Sequence, residues 1–179
     1  LLWISINNSG KIYIINSNNF EFQAKITGLT SPRYMLPVNN EIWISDLYSG
    51  QIQIVNSETF EKSASILLNN NNKLIHNAEQ MIRYNNKVIC NSWSNDNYIF
   101  FIDIDKKTVV DSIETGIQPK EILLDRNNKI WVLCDGGYEG APIGHEEASL
   151  LKIDPDNKNI ELRYDFKQED KPSDICTNS

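Results

Sequence analysis

Cysteine, histidine, glycine and basic charge are all scarce in this chain, and each shortage removes a class of function. The three cysteines, Cys90, Cys134 and Cys176, lie far apart and never in Cys-x-x-Cys spacing, which excludes a disulfide framework and a zinc cluster and reads as buried thiols. The two histidines, His76 and His145, fall in loops without an HExxH or Cys/His arrangement, so no metal site is expected. The eight glycines form no phosphate-binding loop after a strand. No serine or cysteine has a base at a recognisable spacing, so no catalytic residue stands out and the chain reads as non-enzymatic. Lys and Arg number 17 against 24 Asp and Glu, for a net charge of −7; with no basic stripe, nucleic acid is excluded as a partner. No apolar run reaches the roughly 18 residues of a transmembrane segment. No signal peptide is visible, and because the sequence opens on Leu1 rather than Met, a trimmed N-terminus is the expectation.

What the chain does have is a repeat. An aromatic or Ile/Val strand, a polar loop, a second apolar strand ending in Asn or Asp, a turn and a third strand recur about every 43 residues with no helix-period segment between them. The anchors are Trp3, Trp43, Ile89 and Trp131. Glu41-Ile-Trp-Ile-Ser-Asp46 and Gln51-Ile-Gln-Ile-Val-Asn56 alternate apolar and polar residues, as strands buried on one face do. Lys11–Asn16, Ile99–Asp103 and Leu150–Asp154 hold the same place in other copies. Asn39-Asn40, Asn85-Asn86 and Asn127-Asn128 tolerate left-handed backbone and suit tight hairpins. Asp154-Pro-Asp-Asn157 looks like a fragment of a calcium loop, but it falls where other copies carry plain turns and reads as a turn.

Four strands per period, none able to bury its faces alone, specify an all-β fold: a β-propeller of four-stranded antiparallel blades. About four blades' worth is present in one domain spanning residues 1–179, read as a segment of a larger ring. Trp3, Trp43 and Trp131, all mid-strand, are expected in the core.

In a propeller, the loops joining strands two and three open on the same rim as the loops crossing between blades. Both classes are enlarged here: 47–50, 91–97 and 136–148 in the first, and 27–32, 68–78, 116–119 and 168–172 in the second. Long loops on one rim of a rigid scaffold carry function. Pro32, Pro119 and Pro172 start successive innermost strands, which aims Arg33 and Lys120 at the axis mouth. Asp46, Asn91 and Asp135 stand beside Tyr48, Trp93 and Tyr138; Trp93 and Tyr138 read equally as rim packing or ligand contact, and Asp46 and Asp135 equally as turn caps. Gly136 opens the longest loop, which is expected to form part of the rim.

Several stretches, Ser31-Pro-Arg-Tyr-Met35, Ser45-Asp-Leu-Tyr-Ser-Gly50, Glu79-Gln-Met81, Cys90-Asn-Ser-Trp93, Gly116-Ile-Gln-Pro119 and Leu133-Cys-Asp-Gly-Gly-Tyr-Glu-Gly140, resemble motifs of the YncE-like surface propellers of Bacteroidetes. The resemblance spans essentially the whole chain. It implies a ring of about seven blades, anchored in the outer membrane through a lipidated N-terminus absent from this sequence. It also implies a non-enzymatic role, capturing a corrinoid such as cobalamin as ligand and passing it to a TonB-dependent transporter. Arg33, Asp46, Tyr48, Asn91, Trp93, Lys120, Asp135, Gly136 and Tyr138 are the residues expected to offer hydrogen bonds and aromatic walls to such a ligand. Two other readings stay open: a platform for protein partners on an acidic rim, and a degenerate enzyme of the quinoprotein-like propeller type.

Overall fold

A computed structural model describes residues 1–69, 75–167 and 169–178, so parts of the crossing loops 68–78 and 168–172 lie outside the described residues. Among the described residues, fifteen strands form four antiparallel sheets. The first has three strands, β1 (Leu2–Ile6), β2 (Lys11–Ile15) and β3 (Phe22–Ile26). The second has β4 (Pro32–Val38), β5 (Glu41–Asp46), β6 (Gln51–Asn56) and β7 (Lys62–Leu67). The third has β8 (Ala78–Tyr84), β9 (Lys87–Ser92), β10 (Tyr98–Asp103) and β11 (Thr108–Glu114). The fourth has β12 (Pro119–Leu124), β13 (Ile130–Cys134), β14 (Ser149–Asp154) and β15 (Asn159–Asp165). Strand order within each sheet follows the chain, and the inner strands β4, β8 and β12 lie side by side. This is the blade order of a propeller, present as an open arc. Helix among the described residues is confined to two 3-10 turns, Asn7–Ser9 and Leu47–Ser49, and no helix is long and apolar enough to cross a membrane.

The repeat holds at the level of single atoms. Trp3, Trp43, Ile89 and Trp131 face Ile14, Ile54, Phe101 and Lys152 across the ladder, each partner two residues before the Asn or Asp that ends its strand. That terminal residue builds the next turn. Asn16, Asn56, Asp103 and Asp154 each accept, on the backbone oxygen, the N–H of Phe20, Phe60, Lys107 and Lys158 four residues on. Their side-chain Oδ1 atoms accept N–H groups inside the turn, from Asn18, Glu58, Asp105 and Asp156 at 2.8–3.1 Å. An Asx side chain is suited to this because it mimics a turn backbone. Asp154-Pro-Asp-Asn157 is therefore a turn. Its carboxylate, hydrogen-bonded by Lys129 Nζ at 2.7 Å, is held down to about 2. The hairpins from first to second strand turn on Asn39, Asn85 and Asn128, all at positive φ.

The core lies between blades. One apolar cluster joins Trp43, Ile54 and Ile66 to Met81, Cys90 and Phe100 across the second and third blades. Another joins Ile89 and Phe101 to Ile122, Val132 and Leu151, and a third joins Ile12 and Ile14 to Ile44 and Val55. The tryptophans divide on this basis. Trp43 is wholly buried, but Trp3 and Trp131 are half-buried, which corrects the expectation that all three are core. Trp131 lies on the other face of its strand from Ile130 and Val132, which pack against the third blade, and has the C-terminal residues Ile175–Asn178 beside it. Cys90 and Cys134 are buried, and burial pushes the thiol of Cys134 up to about 11 and that of Cys90 higher still. Cys176 is exposed and lies outside any strand, contrary to the reading of three buried strand thiols.

Candidate ligand-binding rim

Each inner strand opens with a β-bulge. The ladder shifts between Pro32 and Met35, between Ala78 and Met81, and between Pro119 and Glu121. A bulge re-aims side chains and leaves one backbone group unpaired, and both effects set the rim. The re-aimed residues are Arg33, Glu79 and Lys120, one per blade. Arg33 Nε donates to both oxygens of Glu79 at 2.9 and 3.1 Å. Burial raises the Glu79 pKa above its ordinary value, against the pull of Arg33 and Lys120. The mouth is thus a plus, minus, plus row. Glu79 was absent from the expected set because its blade starts on Ala78 instead of proline. The signal was its position, one residue into an inner strand, like Arg33 and Lys120.

In the second and third blades the amide two residues into the bulged strand has its own side-chain acceptor. Tyr34 N–H donates to Ser45 Oγ at 2.9 Å, and Gln80 N–H to Asn91 Oδ1 at 2.7 Å. Asn91 Nδ2 also donates to Pro119 O at 2.7 Å, and the residue is fully buried. Asp46 is equally committed: its carboxylate accepts Thr30 N–H at 3.0 Å and Ser31 N–H at 2.5 Å, and it is 2% exposed. Both residues hold the blades together and turn no polar atom to the rim, so their expected role toward a ligand gives way to a structural one. Buried polar groups must find partners, and here the partners are backbone.

The other expected residues reach the surface. A cleft of about 920 Å³ lies between loop 136–148, the turn carrying Trp93 and the segment Asp170–Ser173; Trp93, Gln118, Lys120, Asp135, Tyr138 and Lys171 are among its walls. Asp135 fixes one aromatic wall, since its Oδ2 accepts Trp93 Nε1 at 3.0 Å while Oδ1 accepts Gly137 N–H at 2.9 Å. Arg33 sits over the Trp93 ring, 5.8 Å from its centroid, linking the charged row to the cleft. Tyr138 is well exposed. Gly136 lies just behind the wall at φ +79, where a Cβ would fall 2.3 Å from Glu146 O; it closes the loop base by accepting Glu146 N–H at 2.9 Å. Tyr48 is exposed on the 3-10 turn Leu47–Ser49 and does not line the cleft.

Loop 136–148 is also structural. Glu146 Oε1 accepts Ile117 N–H at 2.7 Å and so supports the crossing loop beneath it. Elsewhere on the rim, His76 Nδ1 and Ser92 Oγ both meet Asp96 Oδ2, at 2.7 and 2.9 Å. The serine donates to the carboxylate and not to the imidazole, which is the wrong order to activate a nucleophile. Among the described residues, no three His, Cys, Asp or Glu side chains come together as a metal site.

No family model matches the sequence, and no curated protein matches it. Its fold is that of solved propeller-type structures. Kuenenia stuttgartiensis hydrazine synthase superposes with a TM-score of 0.76 at 12% identity, over 92% of this chain and 45% of that one. The dihydro-heme d1 dehydrogenase NirN gives 0.69 at 10% identity, over 90% and 34%, and a protein from Lactobacillus plantarum gives 0.65 at 16%, over 86% and 48%. The chain therefore spans less than half the length of these neighbours. At such identities the likeness carries the fold alone.

Proposed function

We propose that this arc of blades is the ligand-holding part of a non-enzymatic binding protein that captures a corrinoid. The cleft beside Trp93 carries the reading: about 920 Å³ lies near the top of the roughly 300–1,000 Å³ range of small-molecule sites. A corrinoid is a broad, flat ring fringed with amides. It requires a flat aromatic wall and fixed polar partners of both kinds, and Trp93, Tyr138, Lys120, Gln118 and Asp135 supply these on elements already ordered by the blades, so little conformational entropy is lost on binding. In this reading the parent protein sits on the outer-membrane surface, held by a lipidated N-terminus, and delivers its ligand to a TonB-dependent transporter.

Equilibrium dialysis of the chain against cyanocobalamin, read by corrinoid absorbance, tests the proposal. Saturable binding is expected, weakened at least about tenfold by Trp93→Ala, or ~1.4 kcal/mol. A chain that binds no corrinoid refutes it and favours a protein-docking rim.

A further inference from the structure

One wall of the cleft carries polar groups that nothing in the fold uses, and both lie at the entry of β12. Gln118 lines the cleft although it is only 6% exposed. Its backbone is committed, the N–H to Asp96 O at 2.7 Å and the carbonyl to Asp135 N–H at 3.1 Å, but its side-chain amide has no hydrogen-bond partner among the described residues. Buried polar groups without partners are uncommon, and this one borders the cleft. Lys120, two residues on, is half-buried on the same wall. It acts on Glu79 and Glu121 at longer range, and among the described residues it makes no ion pair or hydrogen bond. Glu79 is already held by Arg33, so Lys120 is the cation left over in the row at the mouth.

The segment is held rigidly in this position. Gln118 has φ +56, a left-handed backbone that few residues other than Gly and Asn adopt. Ser31 and Asn77, its equivalents at the other two blade crossings, do not share it. Backbone kept in a sparsely populated region gathers at functional sites. Pro119 O accepts Asn91 Nδ2 at 2.7 Å, which ties the strand entry to the third blade. The carboxylates of the cleft leave Lys120 alone. Asp135 holds Trp93 with one oxygen and Gly137 with the other, and Glu146 holds Ile117. Glu139, Glu147 and Asp170 stand exposed, where solvent and salt weaken their field.

A free ammonium beside a free amide donor is a receptor for an anion with accepting oxygens. The amides that fringe a corrin ring are neutral, whereas the phosphodiester of a corrinoid's nucleotide loop is ionised. Resting on the corrinoid reading above, we infer that Lys120 and the Gln118 amide receive this phosphodiester, so that the cleft selects corrinoids with a nucleotide loop over those without one.

Equilibrium dialysis of the chain against cyanocobalamin and, separately, dicyanocobinamide, which lacks the loop and its phosphodiester, tests this. Cyanocobalamin is expected to bind at least about tenfold more tightly. Lys120→Gln is expected to weaken cyanocobalamin binding by about tenfold and leave dicyanocobinamide binding unchanged. Gln118→Gly, which removes the amide but accepts the left-handed backbone, is expected to reduce the same preference. Retained dicyanocobinamide binding shows that each variant still folds and forms the cleft, and Lys120→Met takes the place of Lys120→Gln if that variant unfolds. Equal wild-type affinity for the two corrinoids, or an equal loss of both in a variant with wild-type far-UV circular dichroism, overturns the inference and leaves the corrinoid reading standing. A wild-type chain that binds neither refutes that reading, and the inference with it.

Discussion

Trp43 and Trp131 share one register position in two blades and differ in what covers them, so truncating each measures what a neighbouring blade contributes. Trp43 is fully buried between the second and third blades, its Nε1 donating to Glu41 Oε2 at 3.2 Å. An indole buries roughly 200 Å², worth about 5 kcal/mol at 25 cal/mol per Å². Trp43→Ala is accordingly expected to cost ~3–5 kcal/mol, the usual loss for a large buried aromatic. Trp131 keeps a hydrogen bond from Nε1 to Asp125 Oδ2 at 2.9 Å and has Lys152 over its ring, but it is only partly buried. Its truncation is expected to cost about 1–2 kcal/mol. Urea denaturation gives both values from midpoints at a common slope. Equal losses at the two positions would refute the claim that a neighbouring blade, and not the strand itself, buries this residue.

Asp46→Ala leaves the amides of Thr30 and Ser31 without their acceptor and is expected to cost ~2–3 kcal/mol in the same assay; a loss below about 0.5 kcal/mol would mean that Asp46 is solvated. Glu79 gives a pH signature. Burial raises its pKa above 4.5, so the folded state holds the proton more tightly, and stability falls as pH rises from the unfolded value through the folded one. Glu79→Gln should flatten that fall, and an unchanged slope between about pH 4 and 7 would show that the carboxyl is not desolvated. Replacing residues 137–147 by a two-residue turn removes Glu146 from Ile117 N–H. This is expected to lower stability by about 1–2 kcal/mol along with corrinoid affinity, whereas a shortening that keeps Glu146 should lower the affinity alone.

The fold was legible because each strand pays for its burial with a two-residue period. Glu41–Asp46 and Gln51–Asn56 alternate in sequence and are strands with the expected partners, and the Asn pairs sit at the turns that need positive φ. The bulges were not legible, because two residues set against one leave no mark on composition. They decide which residue after Pro32 or Ala78 turns to the mouth. Trp131 misled for a related reason: its own strand is identical in kind to that of Trp43, and burial depends on a blade face elsewhere.

Asp46 and Asn91 misled because a polar residue at the end of a rim strand serves a ligand or the backbone equally well in sequence. The register separates the two. Leu47, Trp93 and Asp135 donate their N–H groups to Ser31, Asn77 and Gln118 in turn, which makes Asp46, Ser92 and Cys134 equivalent residues. Asp46 holds the crossing loop with a carboxylate and Ser92 with a hydroxyl, on Asn77 N–H at 2.7 Å. Cys134, a weaker acceptor with a buried thiol, meets the Gly116 backbone of that loop, and Glu146 reaches in from the long loop to hold Ile117. The amide at this place, on Ser31, Asn77 and Gln118, is thus met by a carboxylate, a hydroxyl and, in the fourth blade, the backbone oxygen of Asp96 at 2.7 Å. In the fourth blade the long loop that borders the cleft therefore adds an acceptor of its own, Glu146, to the crossing loop beneath it, so shortening the loop removes a support as well as a wall.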